Sequence, residues 1–511
     1  MGSVTGTLPP ARYLTLSWAI EVDHGGMTSA LLRRSRMFAH ASGTTVDVLT
    51  FADDHDYSDV ERQLRARGEL DDQVRLLNLW SWIEGTSGRP GIRTRARIAD
   101  DGDTTLEVDH LRADGSVLVT DRRDVDHPGS LGGRRVTLRS ENGEIVHEWG
   151  SIWGLYRYWL DQLHKGERTV MIADSKPIAE FLATYRRRNV LTGHVIHGSH
   201  LGDGPGGIRE SRRGALDRLA DFDLAVVLTE RQARDIQNTL GTAANLAVVP
   251  NAVDIPATIT LDRAREHGIV LASLDSRKRV GHAIAAAIEV GEPVKLDIYG
   301  DGPEHDKLTK LVAETDRIHL HGHEAGAARH LLEASFLLLT STSEGSPLVI
   351  AEAMAAGCIP IAYDIRYGPG DLIIDGVNGY LAPAGDPHAL ADRIRALQQL
   401  PDEDVTKMRL RAREAAERLG EAAVLESWNR ELAHAWRRKL NILPSLRRKL
   451  RRRIGSETPR PLTPSCRIST HKTSFSSSVP RAITNGSRVV TVPMRASSST
   501  RQTIRDSPPV H

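Results

Sequence analysis

The chain has 511 residues, 40% of them hydrophobic and 26% charged, with a formal net charge of +1. That length is too great for one hydrophobic core and fits roughly two to four domains, and the near-neutral balance argues against nucleic acid as a partner. Two cysteines, Cys358 and Cys466, can build neither a disulfide framework nor a cysteine-based metal site, which fits a reducing, cytoplasmic compartment.

The first apolar run, Tyr13 to Ile20, closes on Glu21 and Asp23 and lacks the basic leader and small-residue cleavage site of a signal peptide, so it reads as a first strand. No stretch reaches the ~20 apolar residues of a membrane span, and the expectation is a protein not integral to a membrane. Asp23-His24-Gly25-Gly26-Met27 follows, then apolar residues at helical spacing from Thr28 to Phe38, then a second strand from Thr45 to Phe51. Strand, glycine-rich turn, helix and strand in that order predict a parallel sheet.

From residue 92 the pattern shifts to short alternating runs at 92–99, 104–111, 116–122, 134–139 and 144–149. Asp101-Gly102, Asp114-Gly115 and Asn142-Gly143 stand where tight hairpin turns belong. An antiparallel meander inserted over 90–150 is expected, serving either as a recognition or self-association surface or as a plain elaboration of the sheet edge. Strand signals of the first type resume at Thr169 to Asp174, His194 to His197 and Leu224 to Leu228, and this half closes with Leu246 to Asp254. A second series begins at Gly268 to Ser273 and continues at Lys295 to Tyr299, Ile318 to Leu320, Phe336 to Thr340 and Ile359 to Tyr363.

The expected class is therefore α/β, with two doubly wound, Rossmann-like domains over 11–255 and 266–425 facing a cleft, and a helix at 426–440 returning to the first. Nine Lys or Arg and no acid lie between Arg437 and Arg453, and a Ser-, Thr-, Arg- and Pro-rich stretch runs on to His511. The sequence reads as disordered from 441 to 511. Its basic run either holds the protein on an anionic membrane surface, at ~1 kcal/mol per contact, or is a solvated, charged helix end.

Glu344 follows a buried strand and precedes an apolar helix that starts near Pro347, at the carboxyl end of a parallel strand where open α/β sheets bind ligands. Ser346, Pro347, Leu348 and Val349 open that helix, whose free amides and positive dipole end suit a diphosphate. Glu352 lies about a turn and a half into it. One carboxylate is placed to face a sugar and the other a ribose, although a loop Glu and a helix Glu are also commonplace as solvated charges.

Glu344-Gly345-Ser346-Pro347-Leu348-Val349 with Glu352-Ala353-Met354-Ala355-Ala356-Gly357 closely resembles the hallmark of glycosyltransferase family 4, which has the GT-B fold. The resemblance spans roughly residues 11 to 440 and includes Val248 to Asp254, similar to the family's interdomain linker, and Tyr299 to Glu304, similar to its strand-end turn. Asp364 to Pro369, Asp375 to Tyr380, the meander and Gly25-Gly26-Met27 resemble the branch that glycosylates poly(glycerol-phosphate) or poly(ribitol-phosphate) teichoic acids; a related branch modifies serine-rich adhesins. The resemblance implies a retaining, metal-independent transferase. It would use UDP-glucose or UDP-N-acetylglucosamine as substrate, with a polyol-phosphate polymer or another hydroxyl as acceptor, and without any cofactor.

It also implies roles. Glu344 would touch the transferred sugar, Glu352 would hold the ribose, Lys278 would neutralise the departing diphosphate, and His197 would contact the donor sugar near the reaction centre. Gly25 and Gly26 would let the backbone approach phosphates or acceptor closely. His197 and His200, three apart, have no third partner for a metal. The family places an arginine five residues before the lysine; this chain has Ser273 there, with Arg277 as the neighbouring cation. Two alternatives stay open: an acceptor that is a protein serine or a lipid, and a catalytically silent partner protein.

Overall fold

The computed structural model describes residues 8–53, 56–85, 93–202, 207–241 and 243–454, with side chains as far as 441. Cys466 and all of 455–511 lie outside the described residues. The chain divides into two compact units, one formed by residues up to 90 and from 157 to 437, the other built on 91–156.

The first unit opens with strands β1 (Arg12–Ser17), β2 (Val46–Thr50) and β3 (Val74–Asn78), separated by helices Gly26–Ser42 and Tyr57–Ala66. The second unit is a meander of β4 (Arg93–Ile98), β5 (Thr105–Leu111), β6 (Val117–Arg122), β7 (Arg135–Arg139) and β8 (Ile145–Trp149), each antiparallel to the next. Its hairpins are longer than two-residue turns. Gly102, Gly115 and Gly143 sit at φ +80°, +87° and +79° and donate N–H to the carbonyls of Ala99, Arg112 and Ser140. That is a type I turn followed by a left-handed glycine, so the preceding Asp101, Asp114 and Asn142 keep ordinary φ angles.

Back in the first unit, β9 (Thr169–Ala173), β10 (Val190–Ile196), β11 (Leu224–Val227) and β12 (Leu246–Val248) complete a seven-stranded sheet. Its order is β12-β11-β10-β9-β1-β2-β3, every pair parallel. Strands β2, β9 and β10 are buried at every position, as befits a parallel sheet covered on both faces. The second sheet holds β13 (His267–Leu271), β14 (Lys295–Tyr299), β15 (Ile318–Gly322), β16 (Phe336–Leu339), β17 (Ile359–Tyr363) and β18 (Tyr380–Ala382). These six run parallel in the order β15-β14-β13-β16-β17-β18.

Helix Glu421–Ile454 begins after both sheets are complete, yet its early residues Val424, Leu425, Trp428, Leu432, Ala435 and Trp436 belong to the same core as Tyr13 and Phe38 of the first sheet's layer. Their three-and-four spacing gives the helix one apolar stripe. Phe38 meets Tyr13 and Trp428 edge to face, at 5.3 and 5.4 Å between ring centres. The expectation of disorder from 441 is corrected in part, because the backbone stays helical to Ile454. That stretch is mostly Leu, Lys and Arg, all good helix formers, and charge alone does not break a helix. Among the described residues no helix is long and apolar enough to cross a membrane.

Candidate functional site

Each sheet order reverses once, between β13 and β16 in the second sheet and between β9 and β1 in the first. Loops that leave adjacent strands toward opposite sides open a crevice there. The loop after β13 carries Ser273, Asp275, Arg277 and Lys278, and the loop after β16 carries Glu344, which is why residues 66 positions apart meet. Lys278 Nζ lies 2.6 Å from Glu344 Oε1 and Arg277 Nη1 lies 3.2 Å from the same oxygen. Asp275 shapes the lysine loop by accepting from the backbone N–H of Arg277 at 2.9 Å and Lys278 at 3.1 Å and from the Ser273 hydroxyl at 2.8 Å. Burial pushes its carboxyl up, and these donors with the Arg277 charge outweigh that, so it sits below its ordinary value. Thr340 ties the two loops together by donating its hydroxyl to the Lys278 carbonyl at 2.7 Å.

Helix Leu348–Ala355 starts beside this pair, with Pro347 as its cap residue, no capping side chain and no acid in its first turn. Its leading amides are therefore free for an anion. Gly368, at φ +106°, packs so closely that a Cβ there would lie 2.2 Å from Pro347 Cδ. The Tyr367-Gly368-Pro369 stretch thus braces the start of the helix. Glu352, on the helix's second turn, makes no side-chain hydrogen bond among the described residues, and burial raises its pKa above the ordinary value, against the nearby Arg33 charge. Arg33 pairs with Asp254 at 2.8 Å.

The first sheet contributes His197, just past the end of β10. Its Nε2 lies 2.7 Å from Asp174 Oδ1, and Asp174, in the loop after β9, also accepts two hydrogen bonds from Arg34 at 2.8 and 2.7 Å. The Asp174 side chain is fully buried and that of Arg34 is 6% exposed. Burial alone would raise the Asp174 carboxyl, yet Arg34 and His197 hold it down at about 2. The fixed carboxylate sets which ring nitrogen of His197 carries a proton toward it. Gly25 caps helix Gly26–Ser42 with extended backbone, and a Cβ on Gly26 would approach Leu348 Cδ1 to 3.5 Å. Two helix N-termini, one from each sheet, therefore converge.

The tightest join is at Gly345, where a Cβ would lie 2.0 Å from the His197 carbonyl oxygen. Glu344, Arg277, Lys278, the start of helix Leu348–Ala355 with Ser346 to Val349, His197 and Gly25-Gly26 are thus gathered around one place. Glu352 stands deeper, toward Arg33 and Asp254. Sequence reasoning missed Arg34 and Asp174, which come from distant elements and match no short motif. It also missed the stacking of His200 on Tyr367, ring centres 5.7 Å apart and planes 9° from parallel, which occupies His200 in packing. Among the described residues no group of three or more His, Cys, Asp or Glu side chains forms a metal site. Cys358 is buried and its thiol is pushed up to about 12.

Residues 265–399 match the family Glycosyl transferases group 1. The poly(glycerol-phosphate) alpha-glucosyltransferase of Bacillus subtilis (strain 168) is 22% identical over 88% of this chain and 78% of that protein. The poly(ribitol-phosphate) alpha-N-acetylglucosaminyltransferase of Staphylococcus aureus (strain COL) is 23% identical over 80% of this chain and 97% of its own length. Among solved structures, a point mutant of S. aureus TarM in complex with Fondaparinux, alpha-GlcNAc-glycerol and UDP aligns with a TM-score of 0.66 at 21% identity, covering 82% of this chain and 99% of that one. The pneumococcal O-GlcNAc transferase GtfA in complex with UDP and GlcNAc gives 0.62 at 17%, covering 84% and 99%. The match to the Glycosyl transferases group 1 family over residues 265–399 thus lies in a chain with the GT-B fold of TarM and GtfA.

Proposed function

We propose that this protein moves glucose or N-acetylglucosamine from a UDP-sugar to a hydroxyl of a polyol-phosphate polymer, with retention at the anomeric carbon. The observation that carries the reading is the pair of cations, Lys278 and Arg277, gathered on Glu344 beside the open N-terminus of helix Leu348–Ala355. Two curated relatives named for this reaction on glycerol and ribitol phosphate polymers support the acceptor class, and UDP in the TarM and GtfA structures supports the donor.

In this mechanism the anomeric C–O bond breaks with its electron pair going to the departing diphosphate. Lys278, Arg277 and the helix amides stabilise that charge as it develops. The acceptor oxygen bonds to the same face of the carbon, and its proton passes to the leaving phosphate oxygen. Glu344 orients the sugar, His197 contacts it from the other sheet, and Glu352 receives the ribose hydroxyls. Holding both reactants in register supplies much of the rate. The reaction takes place in the cytoplasm, at the inner face of the membrane, and the meander joins copies of the chain.

Calorimetry with UDP, followed by UDP release from both UDP-sugars with poly(glycerol phosphate), tests the reading. UDP binding and acceptor-dependent release that Glu344→Gln abolishes would support it. Absence of any UDP binding would sink it.

A further inference from the structure

Beside His197 lies a group of cations that the transfer mechanism above leaves unused. Arg212, on helix Glu210–Leu216, reaches over the loop after β10, so that a Cβ on Gly198 would lie 2.5 Å from its Nη2. It is half-buried, its Nε has no hydrogen-bond partner, and its guanidinium makes no ion pair among the described residues. Lys176, two residues past Asp174, has one side-chain hydrogen bond, to the Ser211 hydroxyl at 3.1 Å. Arg209 stands close enough to both to repel them.

Of the neighbouring carboxylates, Asp174 is committed to Arg34 and His197, Glu210 to Arg213 at 2.9 Å, and Asp235 to Tyr367 and Arg366, while Glu180, packed against Gly214, makes no ion pair with any of the three cations among the described residues. Burial lowers the pKa of Arg212 and of Lys176, the Arg209 charge adds to the effect on both, and the Arg212 charge adds to it on Lys176. Three cations without an ion pair among the described residues, two of them half-buried, are costly unless an anion joins them. The planar fork of an arginine matches phosphate oxygens. The group belongs to the first sheet's side, whereas the Lys278 and Arg277 clamp belongs to the second.

We propose that Arg212, Lys176 and Arg209 form a phosphate subsite for the acceptor. It holds one phosphodiester of the polyol-phosphate chain beside His197, so that a hydroxyl of the adjoining polyol faces the anomeric carbon. The identity of the acceptor rests on the transferase reading, whereas the anion site does not.

The test titrates the full chain with a short poly(glycerol phosphate), with glycerol, with inorganic phosphate and with UDP, comparing wild type, Arg212→Gln, Lys176→Gln and Arg212→Lys. The expected result is that the polymer binds wild type and glycerol does not. Arg212→Gln and Lys176→Gln each weaken the polymer tenfold or more, Arg212→Lys recovers part of the loss, and UDP affinity stays within twofold. Unchanged polymer affinity in both Gln variants, with thermal midpoints equal to wild type, overturns the subsite while leaving the transferase reading intact. Weakening of UDP instead of the polymer assigns these cations to the donor and also overturns it. Polymer binding that depends on Arg212 in a protein that fails to bind UDP upholds the subsite and removes the transferase.

Discussion

Gly345→Ala isolates the contact between the two sides of the site. A Cβ at 345 would lie 2.0 Å from the His197 carbonyl oxygen, 2.6 Å from its carbonyl carbon and 3.0 Å from Gly198 Cα. All three are backbone atoms, so no rotamer change relieves the overlap. Bringing the first distance to ordinary contact takes a displacement of about 1 Å, and Glu344 is the next residue in the same loop. A misplacement of that size costs about 100-fold in rate, or about 2.7 kcal/mol in the barrier. UDP is held in the proposed mechanism by Lys278, Arg277, Glu352 and the helix amides, all on the second sheet's side, so its affinity should change less than about threefold. Steady-state UDP release with saturating acceptor, alongside calorimetry with UDP, separates these two quantities. A variant with kcat within threefold of wild type would refute the reasoning, because the working form would then not need Gly345 pressed against His197.

Lys278→Gln removes the cation 2.6 Å from Glu344 and should lower kcat by about 10²- to 10³-fold in the same release assay, the scale found when one donor to a developing oxyanion is lost. Asp174→Asn leaves the Arg34 guanidinium, 6% exposed, without its counter-charge, and should cost about 3 kcal/mol in denaturant unfolding. Because the Asp174 carboxyl is depressed from 3.8 to about 2, its stabilisation is complete above 3.8 and is lost as pH falls through about 2; acid unfolding of wild type should show this component and Asp174→Asn should lack it. Glu352 is raised instead, so a ribose contact that needs its carboxylate is lost as pH falls through a value above the ordinary 4.5. UDP affinity should decline more steeply over that range in wild type than in Glu352→Gln, where only the titration of the terminal phosphate of UDP remains, read by calorimetry against pH.

The sheet strands were readable where a periodic signal ran long enough. The meander strands carry a period of two and end at glycines, and each expected run lies within a residue or two of β4 to β8. Strand β3 escaped because Val74-Arg75-Leu76-Leu77-Asn78 is five residues with a charge in it, and β18 because it has only three. Helix Glu421–Ile454 outran its expected end since a dense basic run looks disordered by composition while remaining helix-forming by propensity. In the site, Glu344, Lys278 and the helix start were visible as short words near strand ends. The Arg34, Asp174 and His197 chain was not, because Arg34 and Asp174 lie 140 positions apart and only the parallel pairing of β1 with β9 brings helix Gly26–Ser42 to the loop after β9.

Ser273 is the position where sequence resemblance and physical chemistry pull apart. An arginine absent from its familiar place reads as a damaged phosphate clamp. In the fold, however, Ser273 donates to Asp275, and Asp275 in turn accepts from the backbone N–H of Arg277 and Lys278, so the serine belongs to the turn that presents both cations. Arg277 reaches Glu344 from four residues further along, at 3.2 Å against 2.6 Å for Lys278. A leaving diphosphate responds to how many positive donors stand near its oxygens and at what distance, and is indifferent to their order in the chain. The proposed mechanism therefore keeps two cations at the reacting end. They differ in exposure, 42% for Arg277 and 17% for Lys278, and the more solvated arginine contributes the smaller share of the stabilisation.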